Sequence, residues 1–439
     1  MKINVEFGYY ISTTNEEEEM MKKFLSILLT IMLISALFAG CQTETEPEPA
    51  PEVVEETETE PEAVEKTIVN FAVQADPTGA LDEIAMAFNE SSDLYTVEPV
   101  TMTNDSGAMH DQLINSLSSM SGEYDVISMD VVWAGEFAAA GYLQPVDALI
   151  MENGWLPTDF NAGSMASGKY KGKNYVLPYF SDLGFLYYRT DIVSAEDATM
   201  LESGDYTFAD LLTLAEMYKG QEGTLYGHVF QSKQYEGLTC NINEFTSNWT
   251  DIMGGLEMMK KFVDSDATPN DVLTYTEGET HNAFLNGESV FARNWPYMNG
   301  MAASGEYNLS IDQVGYAPLP GGGTVGGWIL GINSNSQNMD GAKAFLSFIS
   351  GPEGQKINAT VGSYMPGFNE LLLDEDVLAA NALLTNIGFA NALSTTIARP
   401  VVANYSEVSD IIQITTHEYL SGNGNIDDAT STLTTQLEQ

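Results

Sequence analysis

Residues 67–88 read TIVNFAVQADPTGALDEIAMAF. The first seven, Thr67-Ile68-Val69-Asn70-Phe71-Ala72-Val73, are β-branched and apolar, as a strand requires. Leu81, Ile84, Ala85 and Phe88 then recur at the i, i+3, i+4, i+7 spacing of one helix face. A strand leading straight into a helix is the unit of α/β architecture, and it repeats downstream. Leu113, Ile114, Leu117 and Met120 predict a second helix, and Tyr124-Asp125-Val126-Ile127-Ser128-Met129 the next strand. Thr207 and Asp210 have capping-box spacing before a helix buried through Phe208, Leu211, Leu212 and Ala215. Ala342, Phe345, Leu346 and Ile349 mark another amphipathic helix, stopped at Gly351-Pro352. No internal repeat, GxGxxG or P-loop interrupts the pattern.

Upstream of this body the composition changes. Gln42 to Lys66 is mostly Glu, Thr and Pro, too poor in apolar surface to offset its ordering entropy, so residues 41–66 are expected to be a disordered acidic tether. Before it, Met21-Lys22-Lys23 supplies a positive n-region and Phe24 to Ala39 an apolar run shorter than the ~20 residues of a membrane span. The run ends in Leu37-Phe38-Ala39-Gly40-Cys41, with small residues at the two positions before the cysteine. This stretch resembles a bacterial lipobox, with Phe38 where the motif usually carries leucine. Residues 21–40 are therefore expected to be a lipoprotein signal peptide and Cys41 the lipidated residue. The alternative is an ordinary signal peptide with a chance cysteine at its cleavage site. Glu16 to Glu19 fit no n-region, so residues 1–20 read as a start-site artefact or an n-region extension.

The 439 residues are 44% hydrophobic and 10% aromatic, enough for a large core and two to three domains. The net charge of -47, from 63 acids and 16 bases, repels phosphate backbones and anionic headgroups, which sets nucleic acid aside as a partner. It also disfavours an anionic ligand, which needs converging Arg and Lys. Cys41 and Cys240 form no disulfide framework, and Cys240 reads as a small buried hydrophobe. His110, His228, His281 and His417 lack zinc-ligand spacing, so neither a metal nor a cofactor is expected.

Four segments carry a resemblance. They are Tyr124 to Ile127 with Asp130, Trp133, Glu136-Phe137 and Gly141-Tyr142-Leu143; Gly172 to Pro178 with Asp182 and Leu186 to Asp191; Ala283 to Glu288 with Arg293 to Tyr297; and Gly326-Gly327-Trp328 with Ala344 to Leu346 and Gly351 to Gln355. In this order they resemble the extracellular solute-binding proteins of ABC importers, in the group that includes maltodextrin-binding protein. The resemblance implies a periplasmic-binding-protein-like fold of class II. Two α/β lobes are joined by crossing hinge strands, with the ligand cleft between them. Crossings are expected near Asp182 to Tyr188, Tyr316 to Pro320 and Leu371 to Asp376. Residues 67–183 plus 319–371 would form the N-terminal lobe and 184–318 plus 372–439 the C-terminal lobe.

A neutral sugar needs carboxylates or amides for its hydroxyls and flat rings for its C–H faces. Trp295, beside Pro296, stands where this family often places a stacking ring; the other reading is a core aromatic. Asp182 stands where a family acid contacts hydroxyls, and is otherwise a turn acid beside Ser181. Asp130 and Trp133 close a strand-to-helix turn, the usual ligand position in open α/β sheets. Asp76, after the first strand, is similarly placed. Tyr235, Glu236 and Tyr405 align loosely with sugar-stacking segments, and Trp328 reads equally as ligand contact or packing.

The chain is thus expected to be an exported, lipid-anchored monomer on the outer face of the cytoplasmic membrane or in the periplasm. It would capture a mono- or oligosaccharide by hinge closure and deliver it to the ABC permease, without being an enzyme. A polyamine, peptide or other small solute in the same fold is the alternative. A tethered glycoside hydrolase, which needs two carboxylates about one bond, is a further one.

Overall fold

A computed structural model of the chain describes residues 65–400, 402 and 404–437. The expected signal peptide, Cys41 and nearly all of the expected tether lie outside them.

Two sheets organise the body. The first has the order β2-β1-β3-β11-β6, built from β1 (Thr67–Gln74), β2 (Tyr95–Met102), β3 (Val126–Asp130), β6 (Leu177–Leu183) and β11 (Val325–Ile332). β1 runs parallel to β2 and β3, whereas β11 runs antiparallel to β3 and β6. Helices cover both faces, and the side chains of β1 show why. Phe71 points to one side and meets Phe345 of the helix Met339–Ser350 at 5.1 Å between ring centroids. Its neighbour Ala72 joins the opposite cluster, with Leu113 of Ser106–Ser118 and Phe137 of Ala134–Ala140. A short hairpin of β4 (Lys169–Tyr170) and β5 (Lys173–Asn174) precedes β6.

The second sheet has the order β10-β7-β9-β8, from β7 (Phe185–Arg189), β8 (Tyr226–Val229), β9 (Ser289–Asn294) and β10 (Val314–Ala317). β7 is buried along its whole length, and its faces divide between two clusters. Phe185 and Tyr187 pack with Phe284 and Phe389, while Leu186 and Tyr188 pack with Leu211 and Phe291. The expected capping box is present: Thr207 Oγ1 accepts from Asp210 N at 3.2 Å, and Thr207 N donates to Asp210 at 2.9 Å. The helix expected to run to Met120 instead stops at Ser118. Met120 has φ +58° and is exposed, so the apolar spacing overran a turn.

The sheets are joined where three chain segments meet. β6 ends at Leu183, one residue from the start of β7 in the other sheet. Gly184 N donates to Thr324 O (3.0 Å) in the link from β10 to β11. Ile397 N donates to Gly323 O (2.9 Å), and Val325 N to Ile397 O (2.8 Å). A Cβ on Gly184 would collide with the Arg293 guanidinium and the Glu244 carboxylate, so this approach needs glycine. Beyond the first sheet's last strand, the helix Glu375–Ala380 packs on Pro352–Gly362, whereas Ile387–Ser394 packs on β10 and Ala195–Ser203. Among the described residues no helix is long and apolar enough to cross a membrane.

Candidate functional site

A cavity of ≈ 490 Å³ opens between the two sheets and draws its walls from both. From the first come the carboxyl ends of β3 and β6 and the amino end of the antiparallel β11, bringing Asp130, Asp182 and the run Gly326-Gly327-Trp328. The second contributes Lys233 to Cys240, the start of the helix Glu277–Leu285, and Trp295 with Tyr297 after β9. Carboxyl ends of strands facing helix starts leave backbone and side-chain polar groups free to meet a ligand.

Trp295 is the most constrained of these rings. Its Nε1–H donates to Glu277 Oε1 at 3.1 Å, and its carbonyl accepts from Tyr187 Oη at 2.7 Å. The Arg293 guanidinium lies 4.0 Å from the ring centroid, a cation–π contact. Across the cleft, a Cβ on Gly326 would stand 3.0 Å from the indole, so the glycine makes room for the ring. Glu277 also accepts from Tyr235 Oη at 2.7 Å, so one carboxylate orients two aromatic walls.

The acids are not equivalent. Asp182 accepts from Leu183 N at 3.0 Å, and burial pushes its carboxyl well above the usual range, against the pull of Arg293. Such a group favours its proton and can both donate to and accept from a hydroxyl. Asp130 is instead paired with Arg399, whose Nη2 and Nη1 donate at 2.5 and 2.9 Å. Glu236 accepts from the same Nη1 at 2.9 Å. Lys233 Nζ reaches Asp105 at 3.3 Å across the cleft. His281 lies beside Tyr297 Oη at 2.9 Å, and burial pushes the imidazole down to about 4.

Six of the nine candidates therefore meet in one cavity: Asp130, Asp182, Tyr235, Glu236, Trp295 and Trp328. The other three do not line it. Asp76 is occupied as a helix-start acceptor, taking Leu81 N at 2.9 Å and Tyr364 Oη at 2.9 Å. Trp133 packs edge-on behind Trp328 at 5.6 Å and lines a separate hollow beside His110. Tyr405 lines that hollow too, its hydroxyl bonded to Glu236 from behind. Sequence reasoning missed Glu277 and Arg399. Glu277 follows Thr276 in a capping box and reads only as a helix-start acid, and Arg399 carries no spacing signal. Cys240 is buried as expected, and burial pushes its thiol up. Among the described residues no cluster of three or more His, Cys, Asp or Glu could hold a metal ion.

Comparison with known proteins accords with this geometry. Residues 74–356 match the family model described as bacterial extracellular solute-binding protein. A probable ABC transporter-binding protein of Deinococcus radiodurans is 29% identical over 398 residues, 82% of this chain and 92% of the relative. Among solved structures, maltose-bound Thermotoga maritima MalE3 superposes with a TM-score of 0.75 at 27% identity, covering 85% of this chain and 99% of that one. A mannitol-bound ABC transporter solute-binding protein from Agrobacterium vitis S4 gives 0.71 at 16% identity, covering 85% and 97%, and so speaks for the fold. The chain belongs to the bacterial extracellular solute-binding proteins, has their periplasmic-binding-protein fold, and is a solute-binding component of an ABC importer.

Proposed function

We propose that the cleft captures a carbohydrate, a sugar or sugar alcohol, by closure of two lobes, and that the closed form delivers it to the permease. The observation that carries this reading is Trp295, locked by Glu277 and Arg293 beside the half-buried Asp182. A flat ring next to a group that both donates and accepts suits a sugar's C–H face and its hydroxyls. The T. maritima relative holds maltose and the A. vitis structure mannitol, which supports the same class. Asp130, Asp182, Tyr235, Glu236, Trp295 and Trp328 are the residues proposed to surround the ligand. Asp76, Trp133 and Tyr405 act on it only through Tyr364, Trp328 and Glu236. We read the chain as a binder that leaves its ligand chemically unchanged.

The lobe division of 67–183 plus 319–371 and 184–318 plus 372–439 is kept with one change. We place the third crossing at Asn381 to Asn386, because Glu375–Ala380 packs with the first lobe's helices and Ile387–Ser394 with the second sheet. Cys41 is proposed as the lipid anchor and residues 41–66 as the tether that keeps a monomeric body beside its transporter. Labelling with a fatty acid, lost in Cys41→Ser, tests the anchor.

Thermal unfolding against maltose, D-mannitol, other mono- and oligosaccharides, spermidine and short peptides tests the ligand class. A carbohydrate at ~100 times its dissociation constant should stabilise by ~2.7 kcal/mol. A shift with spermidine and none with any carbohydrate would overturn the sugar reading in favour of a polyamine.

A further inference from the structure

Glu277 opens the helix Glu277–Leu285 but does not cap it. The capping box belongs to Thr276 and Glu279, which exchange backbone and side-chain hydrogen bonds with each other. The Glu277 carboxylate is thus left to the cavity, and each of its oxygens is taken by an aromatic side chain. Oε1 accepts from Trp295 Nε1 at 3.1 Å, and Oε2 from the Tyr235 hydroxyl at 2.7 Å. The two rings come from separate places in the chain. Trp295 follows β9 directly, and Tyr235 immediately precedes the helix Glu236–Phe245. Each ring is also backed by protein. The Arg293 guanidinium lies 4.0 Å from the indole centroid, and a Cβ on Gly237 would stand 2.3 Å from Tyr235 Cζ, so the phenol ring lies directly against that glycine. Buried Tyr and Trp each need a partner for the polar atom. Here they share one, which fixes the angle between the rings as well as each ring alone. Trp295 is still only half-buried, and both rings line the cavity.

We propose that Glu277 is a positioning residue that makes this cleft select ring-form sugars over open-chain sugar alcohols, by holding Trp295 and Tyr235 as two fixed aromatic walls. The inference rests on the reading that the cleft takes a carbohydrate, and it narrows that class. A pyranose is rigid and carries a patch of C–H groups on one face, so it meets a preset ring with little further ordering. An alditol keeps a rotatable bond between every pair of adjacent carbons and must freeze several of them to lay the same area on the same ring. Fixed walls therefore favour the rigid ligand. Walls released from the shared carboxylate would regain their side-chain torsions, and binding a pyranose would then have to order them again. A flexible ligand gains less from fixed walls, so it loses less when they are released. Glu277 acts through the two rings rather than on the sugar, because its oxygens are already engaged by them.

The test is calorimetric titration of the full chain with maltose, cellobiose, methyl α-D-glucopyranoside, D-mannitol and D-glucitol in parallel. In the parent, the tightest ring sugar should bind at least about tenfold more tightly than either alditol. Glu277→Ala should weaken that sugar by about 10- to 100-fold and the alditols by less than about threefold, so that the ratio collapses. Glu277→Gln keeps an oxygen that accepts from the indole and has an N–H that can donate to the Tyr235 hydroxyl, so it should hold the ratio within about threefold of the parent. A purely structural role would weaken both ligand classes alike, and urea midpoints of the ligand-free variants read stability separately. If Glu277→Ala does not fold, Tyr235→Phe, which frees one ring from the carboxylate, should narrow the ratio by about threefold or more. An alditol that binds the parent as tightly as every ring sugar would overturn the proposal and leave the carbohydrate reading standing. An unchanged ratio in Glu277→Ala, or in Tyr235→Phe where that variant decides, would do the same, as would a Glu277→Gln chain no more selective than Glu277→Ala. If none of the five ligands binds the parent, the carbohydrate reading fails and this inference falls with it.

Discussion

Two buried arginines do opposite jobs in this molecule. Arg293, on β9, has every nitrogen engaged: Nε and Nη2 donate to Glu244 at 3.0 and 2.5 Å, and Nη1 to Gln231 Oε1 at 3.2 Å. Both of its partners lie beside the second sheet, Glu244 on the helix Glu236–Phe245 and Gln231 just after β8, and Arg293 and Glu244 are each 1% exposed. Arg399 makes a pair of similar geometry, yet its carboxylates come from the end of β3 and from the start of the helix Glu236–Phe245, and its Nε has no hydrogen-bond partner among the described residues. The difference teaches that a buried ion pair is scaffold or joint according to which rigid bodies carry its ends. Arg293 is scaffold: Glu244 also takes Thr324 N at 3.0 Å at the hinge, and the guanidinium supports the Trp295 ring. Arg399 instead bridges the end of β3 in the first sheet and the start of the helix Glu236–Phe245.

The largest expected effect breaks the scaffold pair. Glu244→Gln leaves a cation buried without its counter-charge and should cost about 3–5 kcal/mol in urea unfolding. Full stability would mean that Gln231 and water carry Arg293 alone. The matching change at the joint should leave the ligand-free fold far less affected, so the two pairs separate in one experiment.

Acid offers the next contrast. His228, on β8, is 2% exposed, stacked on Phe230 and met edge-on by Phe262, and burial pushes it down to about 3. Between about pH 6.5 and 3 the unfolded chain takes up a proton that the folded chain refuses. Stability is therefore fully present above that window and falls by about 1.4 kcal/mol per pH unit within it. His228→Phe should flatten the slope of denaturant midpoint against pH between 6 and 4; an unchanged slope would assign the acid sensitivity elsewhere.

Trp295 rests on the scaffold arginine and lines the cavity. Trp295→Ala should weaken carbohydrate binding by about 10- to 100-fold, since hot-spot aromatics are worth about 2 kcal/mol or more. An unfolded or poorly expressed Trp295→Ala chain would instead mark the ring as core. The smallest expected change is Tyr405→Phe, which removes one brace from Glu236 and should cost about 1 kcal/mol of stability. A loss of binding as large as that of Trp295→Ala would bring Tyr405 into direct ligand contact.

Local rules made much of the fold legible. The strand at Thr67–Val73, the capping box at Thr207 and the helix through Phe345 and Ile349 depend on periodicity and on bonds between residues a few positions apart, and each is where the sequence puts it. Met120 shows the limit, because an apolar residue at helical spacing continues a helix only if the backbone does. A place on the cavity wall was legible where motif and strand end coincide, as at Asp130, Asp182 and Trp295. It was not legible where position depends on packing. Trp133 and Trp328 look alike in the sequence, yet one ring lies behind the other and only the front one reaches the cavity. Asp76 follows a strand as Asp130 does, but its carboxylate is spent on Leu81 and Tyr364.

What the sequence determined by itself is whatever repeats along the chain within a few residues: alternating strand and helix, their caps, the acidic lead-in, and the ordered motifs that mark a solute-binding protein. Only the tertiary structure could decide that Glu277 fixes Trp295, or that Arg399 meets Asp130 from 269 positions away and Glu236 from 163. Those encounters are set by how two sheets are joined through a glycine-lined hinge. Side chains so far apart in sequence share no periodicity, and only burial of both faces of each sheet brings them within hydrogen-bonding distance.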